Sequence, residues 1–249
     1  MKKRKTNVIR MIIDKWRKAF LFRKLRKLGV CFLSGLGDSY IFKVSDNGQK
    51  AVISYPTYDA YGYHNVGQVV TFYKHDGTWY VGNRLGRFTE ESNLYFGQDI
   101  AFNADGTVLA ISAPGYPIQR KDASGRVFIA IFNGYAFQME DTQIDCPISQ
   151  SAIMGTSIAL DATGKKLIAT VNYLADDGKT TIKDIALFIR NKGITMNPKS
   201  GVRYNLSGLM RDGLYSRRFN HIVALNRYDP KGITVQHQRN RITDVLYFN

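Results

Sequence analysis

The chain has 249 residues, 44% of them apolar, and carries 35 Lys and Arg against 20 Asp and Glu, a formal net charge of +15. That length suits one domain with arms, and the apolar share is enough for a real core. No apolar run approaches a membrane span, and Cys31 and Cys146 are too few for a disulfide framework, so neither class is expected.

The charge is unevenly placed. Residues 1–27 hold +11, residues 199–249 hold +6, and residues 28–198 stand near neutral at −2. The expected organisation is a basic helical arm at 1–29, a neutral body at 30–198, and a basic C-terminal segment at 199–249, the last being a degenerate repeat or an edge-covering arm.

No Pro or Gly interrupts Thr6 to Leu28, and Gly29 offers a stop. Ile9, Ile12, Ile13, Trp16 and Phe20 recur at helical spacing, with Lys15, Arg17 and Lys18 between them, which predicts a basic amphipathic helix. Three partners suit it. A neighbouring protein would take the apolar stripe, Trp16 and Phe20 foremost, into a groove. An anionic membrane would take the same rings into its interface. Nucleic acid, or another anionic partner, would meet Lys2, Lys3, Arg4, Lys5, Arg23, Lys24, Arg26 and Lys27, joined by Arg217 and Arg218 from the other end. The bland alternative is a helix packed on its own body with a solvated basic face. Neither Ala19–Phe22 nor Gly29–Gly37 makes a convincing secretory signal, so a virion or the cytoplasm is the expected location.

The body is a repeat. Leu36–Tyr58, Phe96–Pro117 and Gly155–Tyr173 each read as a small turn, an apolar strand, a polar glycine turn and a second apolar strand. The turn glycines Gly48, Gly106 and Gly164 are 58 residues apart, and a fixed period means stacked copies of one supersecondary unit. A third strand begins at Gly67, Gly125 and Lys183, and each copy closes at Gly77, Gly134 or Gly193. Fourth strands follow at Thr78 and Tyr135, while the third unit shows only a short ITM stretch. His75-Asp-Gly77 and Asn133-Gly134 read as hairpin turns. Leu109, Ile111, Val127, Ile129 and Ile131 are expected on one face at period two. Ala101, Ala110, Ala130, Ala159, Ala169 and Ala186 would let neighbouring sheets approach closely. Four short antiparallel strands per unit is the layout of a propeller blade. The predicted fold is all-β, a propeller-like array of three to four four-stranded blades. Phe219–Asn226, Gly232–Val235 and Thr243–Phe248 supply a worn fourth unit, and open sheet edges are expected to be covered by the termini or another subunit.

Phe96-Gly97, Asp105-Gly106, Ala113-Pro114 and the Gly125-Arg-Val-Phe run resemble the FG-GAP repeat, in which each repeat is one blade of a β-propeller, as in integrin α-subunit heads. The resemblance spans about Leu36 to Met196 and is sharpest in the second unit. It departs from the calcium-binding members. Ser45–Gly48, Asn103–Gly106 and Asp161–Gly164 are too short and too poor in carboxylates for calcium's six to eight oxygens, and read as tight turns.

No catalytic residue, cofactor site or metal site is nominated. His64, His75, His221 and His237 never fall at a metal-ligand spacing, and Asp176-Asp177 and Glu90-Glu91 read as solvated pairs. Tyr55, Tyr58, Tyr61 and Tyr63 crowd one loop, Tyr55–Asn65, the best protein contact surface in the sequence; the alternative is that the rings cap the first blade. The function expected is non-enzymatic: a structural or docking protein held in a larger assembly such as a virus or phage particle, with other subunits or itself as partner. Nucleic-acid binding through the basic arms is one alternative, and a propeller enzyme, hydrolase or lyase, is another.

Overall fold

In the computed structural model of the chain, residues 19–27, 40–86, 91–118, 124–147, 151–174, 178–179, 181–191, 195–205, 221–225, 232–237 and 243–247 are described. A helix, α1, runs over residues 19–27. The first sheet takes β1 (Ile41–Val44), β2 (Lys50–Tyr55), β3 (Gln68–His75) and β4 (Thr78–Leu85) in chain order. The second unit is β5 (Ile100–Phe102), β6 (Val108–Pro117), β7 (Ser124–Phe132) and β8 (Phe137–Asp145). The third is β9 (Ile153–Leu160), β10 (Lys166–Leu174), β11 (Thr181–Asn191) and β12 (Thr195–Asn205). One parallel pairing, Ser124 with Ile153, stitches these two units into a single eight-stranded sheet. The last sheet has three strands, β13 (His221–Leu225), β14 (Gly232–His237) and β15 (Thr243–Tyr247).

Each unit is an antiparallel meander, and β1, β5, β9 and β13 lie each against the next. The first strand of every unit therefore faces a common inner side, as in a propeller. Among the described residues no pairing joins the first sheet to the last, so the β-propeller-like array is open.

The period of the sequence reappears as a period of hydrogen bonds. Ser45, Asn103 and Asp161 each cap a turn in the same way. Ser45 Oγ accepts from Lys50 N at 3.0 Å, Asn103 Oδ1 from Val108 N at 2.9 Å, and Asp161 Oδ1 from Lys166 N at 3.0 Å. Gly48, Gly106 and Gly164 close these turns at φ of 66°, 72° and 71°, where a side chain is strained and glycine is not. The turns also touch each other: Asn47 Nδ2 donates to Asp105 O at 2.6 Å, and Ala104 N to Ala162 O at 3.1 Å. Asp76 and Gly77 both take positive φ in the β3–β4 hairpin, as an Asp-Gly turn should.

Three expectations are corrected. Leu109 and Ile111 do not share a face with Val127, Ile129 and Ile131. The register pairs Leu109 with Ala130 and Ile111 with Phe128, so these four face the first sheet, while Ala110, Val127 and Ile129 face the third unit. The second unit is sandwiched and both its faces are buried, which a period-two pattern of apolar residues on both faces cannot disclose. The third unit's fourth strand is an 11-residue strand, β12, which runs through residue 198, rather than a short remnant. The helix is described over 19–27 alone, and the side it buries is Phe22 and Leu25; Phe20 is 74% exposed.

Phe22 and Leu25 pack on Ala51, Ile53, Tyr55, Val70, Phe72 and Trp79. Phe22 stacks on Tyr40 with ring centroids 4.2 Å apart. The helix thus covers the face of the first sheet that no preceding blade covers, the part a capping element plays in a repeat array. The alanines do what small residues should: Ala101 pairs with Ala110 and Ala169 with Ala186, all buried between units.

Candidate functional site

A meander puts alternate connections at opposite ends. At one end lie tight turns, residues 45–49 and 76–77 in the first unit. At the other lie longer segments, residues 56–67 between β2 and β3 and residues 86–99 between β4 and β5. Rigid sheets that carry long loops at one end are the usual support for a binding or catalytic site.

These two loops are laced together. His64 N donates to Ser92 Oγ at 3.0 Å, Asn93 N to His64 O at 2.7 Å, Tyr95 N to Asn65 O at 2.9 Å, and Asn65 Nδ2 to Asn93 Oδ1 at 2.8 Å. Behind them, Phe96 N donates to Val66 O and Gly115 N to Leu94 O, which ties the second loop to the end of the first, just before β3, and to β6. Tyr61, Asn65, Asn93 and Tyr95 all hold positive φ, between 52° and 63°. Asparagine visits that region readily, whereas Tyr61 and Tyr95 are strained there, and such strain gathers at functional sites.

Within this lacing Asp59 and His64 form a pair. Asp59 Oδ2 lies 2.9 Å from His64 Nδ1, while Asp59 Oδ1 accepts from Asn65 N at 2.7 Å. The hydrogen bond with His64, then that from Asn65, holds the Asp59 carboxyl below its ordinary 3.8. The carboxylate fixes the imidazole through Nδ1. The ring is 76% exposed, and Nε2 has no hydrogen-bond partner among the described residues. An oriented imidazole with one nitrogen open to solvent can take and return a proton.

A second polar centre sits on the inner strands and has the opposite character. Asp99 precedes β5 and links three units. Its Oδ1 accepts from Lys43 Nζ at 2.6 Å and Ile100 N at 2.8 Å; its Oδ2 accepts from Ser157 Oγ at 3.1 Å and Ile158 N at 2.9 Å. Lys43 also donates to Ile100 O. Asp99 N and O both engage Ser112 Oγ. With four donors on two oxygens, this carboxylate is saturated. It is a clasp, not a group left open to a substrate.

The structure divides the expected contact residues. Tyr55 is removed from the surface: it is 2% exposed, under Phe22 and Leu25. Tyr58 packs beside it, Tyr63 is half-buried, and Tyr61 stands fully out at the loop tip. The rings therefore do both things the sequence allowed, capping the first sheet at one end of the loop and facing solvent at the other. Arg23, Lys24, Arg26 and Lys27 are exposed on α1. Trp16, Lys2, Lys3, Arg4, Lys5, Arg217 and Arg218 lie outside the described residues. Sequence reasoning passed over Asp59–His64 because it weighed histidines by metal-ligand spacing; an Asp five residues before a His in a loop was the available signal. The turn carboxylates are directed onto their own loops: Asp105 Oδ1 accepts from Thr107 N and Oγ1, and Asp161 Oδ2 from Thr163 Oγ1. No described helix is long and apolar enough to cross a membrane.

No protein-family model matches the chain, and no curated protein matches it. Solved structures do resemble it at low identity. A hypothetical selenium-binding protein from Sulfolobus tokodaii shares 9% identity at a TM-score of 0.47, over 68% of this chain and 42% of that one. A candidate 6-phosphogluconolactonase from Bacteroides fragilis shares 12% at 0.43, over 83% and 53%. A periplasmic gluconolactonase from Pseudomonas aeruginosa shares 11% at 0.33, over 79% and 64%. The chain thus spans between 42% and 64% of the length of these structures. Two of the three bear the names of gluconolactonases, which is said of those proteins, and the expectation of a non-enzymatic docking protein is not retained.

Proposed function

We propose that the protein is a propeller-type hydrolase whose general base is His64, oriented by Asp59. The observation that carries this reading is the pair itself, held at 2.9 Å in two mutually bonded loops that contain the strained tyrosines Tyr61 and Tyr95. The chemistry follows from the open nitrogen. His64 Nε2 takes a proton from water, and the oxygen attacks an acyl carbon. The bond from that carbon to the leaving oxygen breaks, and the imidazolium returns its proton to the leaving group. Asp59 stays ionised throughout, which keeps the proton-bearing nitrogen at Nδ1 and the accepting one at Nε2.

The test is turnover of a panel of activated esters and aldonolactones by the purified chain. Hydrolysis that falls at least about a hundredfold in His64→Gln, and about tenfold or more in Asp59→Asn, supports the assignment. Hydrolysis that survives both changes, or none with any probe, overturns it.

We also read the repeat as FG-GAP-like. What supports this is the packing of its signature residues. Phe96 is buried in the core, Gly97 abuts Ser54 and Val69 of the preceding unit, and Ala113 is buried between strands. Gly155 repeats the contact of Gly97, lying against Ser112 and Val127.

A further inference from the structure

The helix α1 has two faces, and only one is used by the fold. Phe22 and Leu25 are buried on the first sheet. Phe20, Arg23, Lys24 and Lys27 stand at the i, i+3, i+4 and i+7 positions of the other side and are all exposed. A phenylalanine left 74% exposed amid cations has no role in the core. Among the described residues Arg23, Lys24, Arg26 and Lys27 form no ion pair. Between the helix and β1 an open groove of about 1100 Å³ is lined by Phe20, Phe22, Tyr40 and Phe42 with these basic side chains at its rim.

The sequence before the helix carries more apolar residues at the same spacing. Counting back from Phe20 at helical spacing gives Trp16, Ile13, Ile12 and Ile9. A stripe of Ile, Trp and Phe bordered by Lys and Arg is the composition of an interfacial helix, which seats its rings at the level of lipid headgroups and its cations on their phosphates. Nucleic acid would use the cations and could stack on a ring, but it gives no reason for three isoleucines in the stretch of sequence before Phe20.

We propose that the outward face of α1, with Phe20 at its centre and Arg23, Lys24 and Lys27 around it, binds the surface of an anionic phospholipid bilayer. The first sheet serves as the rigid mount, since Phe22 and Leu25 fasten the helix to it. Binding is peripheral: Phe20 enters the headgroup region, the cations neutralise acidic lipids, and the blades remain in water.

The experiment is flotation of the full chain with vesicles of phosphatidylcholine alone or with about 30 mol% phosphatidylserine, at about 0.05 M and about 0.5 M salt. The expected result is at least about tenfold stronger recovery on the acidic vesicles at low salt, and a loss of most of that recovery at high salt. Phe20→Ser and the pair Arg23→Glu with Lys27→Glu should each lower recovery by about tenfold while the far-ultraviolet spectrum is unchanged, because these side chains carry no core contact. Equal recovery on both vesicles, or full recovery of the Phe20→Ser chain, overturns the proposal. So does tight, steeply salt-dependent binding of a single-stranded oligonucleotide by a chain that ignores the vesicles.

Discussion

Gly97 and Ser54 meet across the first two units. Ser54 Oγ donates to Gly97 O at 2.7 Å, and the α-carbon of Gly97, at φ 87°, comes so close that any Cβ there would run into Ser54 Oγ and Val69. Gly97 thus reflects the distance between sheets: a glycine is needed where one unit's first strand begins against the middle strands of the one before it.

Gly97→Ala should therefore destabilise the fold by about 2–4 kcal/mol, from left-handed backbone strain together with overpacking. Ser54→Ala, which removes a buried hydrogen bond without adding volume, should cost about 1–2 kcal/mol. Urea denaturation of the two variants checks this, and a Gly97→Ala chain as stable as its parent would contradict the contact.

Asp99→Ala should cost about 2–4 kcal/mol. It leaves Ser157 Oγ and the Ile100 and Ile158 amides without their acceptor near the inner strands. Lys43→Met should cost less, about 1 kcal/mol or under, since Lys43 is 39% exposed and its pair is partly screened. Thermal melts rank the two, and a Lys43 change as costly as the Asp99 change would show that the lysine, not the carboxylate, holds the units together.

Leu25→Ala should cost about 2–4 kcal/mol, because Leu25 is fully buried in the cluster that roofs the first sheet. It should also raise binding of a hydrophobic dye before global unfolding, since a loosened α1 uncovers Ile53, Tyr55 and Phe72. A melt with no early dye signal would mean that the helix and sheet unfold as one.

Asp105 supplies a pH test of the turns. Burial acts to raise its carboxyl, but hydrogen bonds from Thr107 Oγ1 and N, and then from Asn103, outweigh it and leave the group below its ordinary 3.8. A depressed carboxylate contributes stability that is fully present above about 3.8 and is lost as the pH falls through the lower folded value. The parent chain should therefore lose more stability than Asp105→Asn on going from pH 5 to about pH 3. Urea midpoints that fall in parallel over that range would remove Asp105 from the account.

Much of the fold was legible. The three turns at Gly48, Gly106 and Gly164 could be found because a tight positive-φ turn is a local event, fixed by a few neighbouring residues, and their spacing gave the unit. The strands of the fourth unit were visible in the same way at Ile222, Ile233 and Val245. Face assignment was not legible in the second unit. Leu109 and Val127 are both apolar and both buried, and only the pairing of Val108 with Ile131 settles that they point to opposite sides. The same holds for Tyr55, whose burial depends on Phe22 arriving from a helix some thirty residues away. In the candidate site, the tyrosine-rich loop drew notice for its rings. The proposed chemistry lies in Asp59 and His64, in a loop bonded to Ser92, Asn93 and Tyr95 of another connection.

By itself the sequence determined the repeating unit, its strands and turns, and the concentration of positive charge at the two ends. These follow from backbone preferences and composition, which act over a few residues. Tertiary structure alone decided that Asp99 joins Lys43 to Ser157, that α1 roofs the first sheet with Phe22 and leaves Phe20 outside, and that the loop bearing Asp59 and His64 is bonded to Ser92 and Asn93. Each of these depends on groups brought together from distant parts of the chain, and their meeting is set by how the sheets stack.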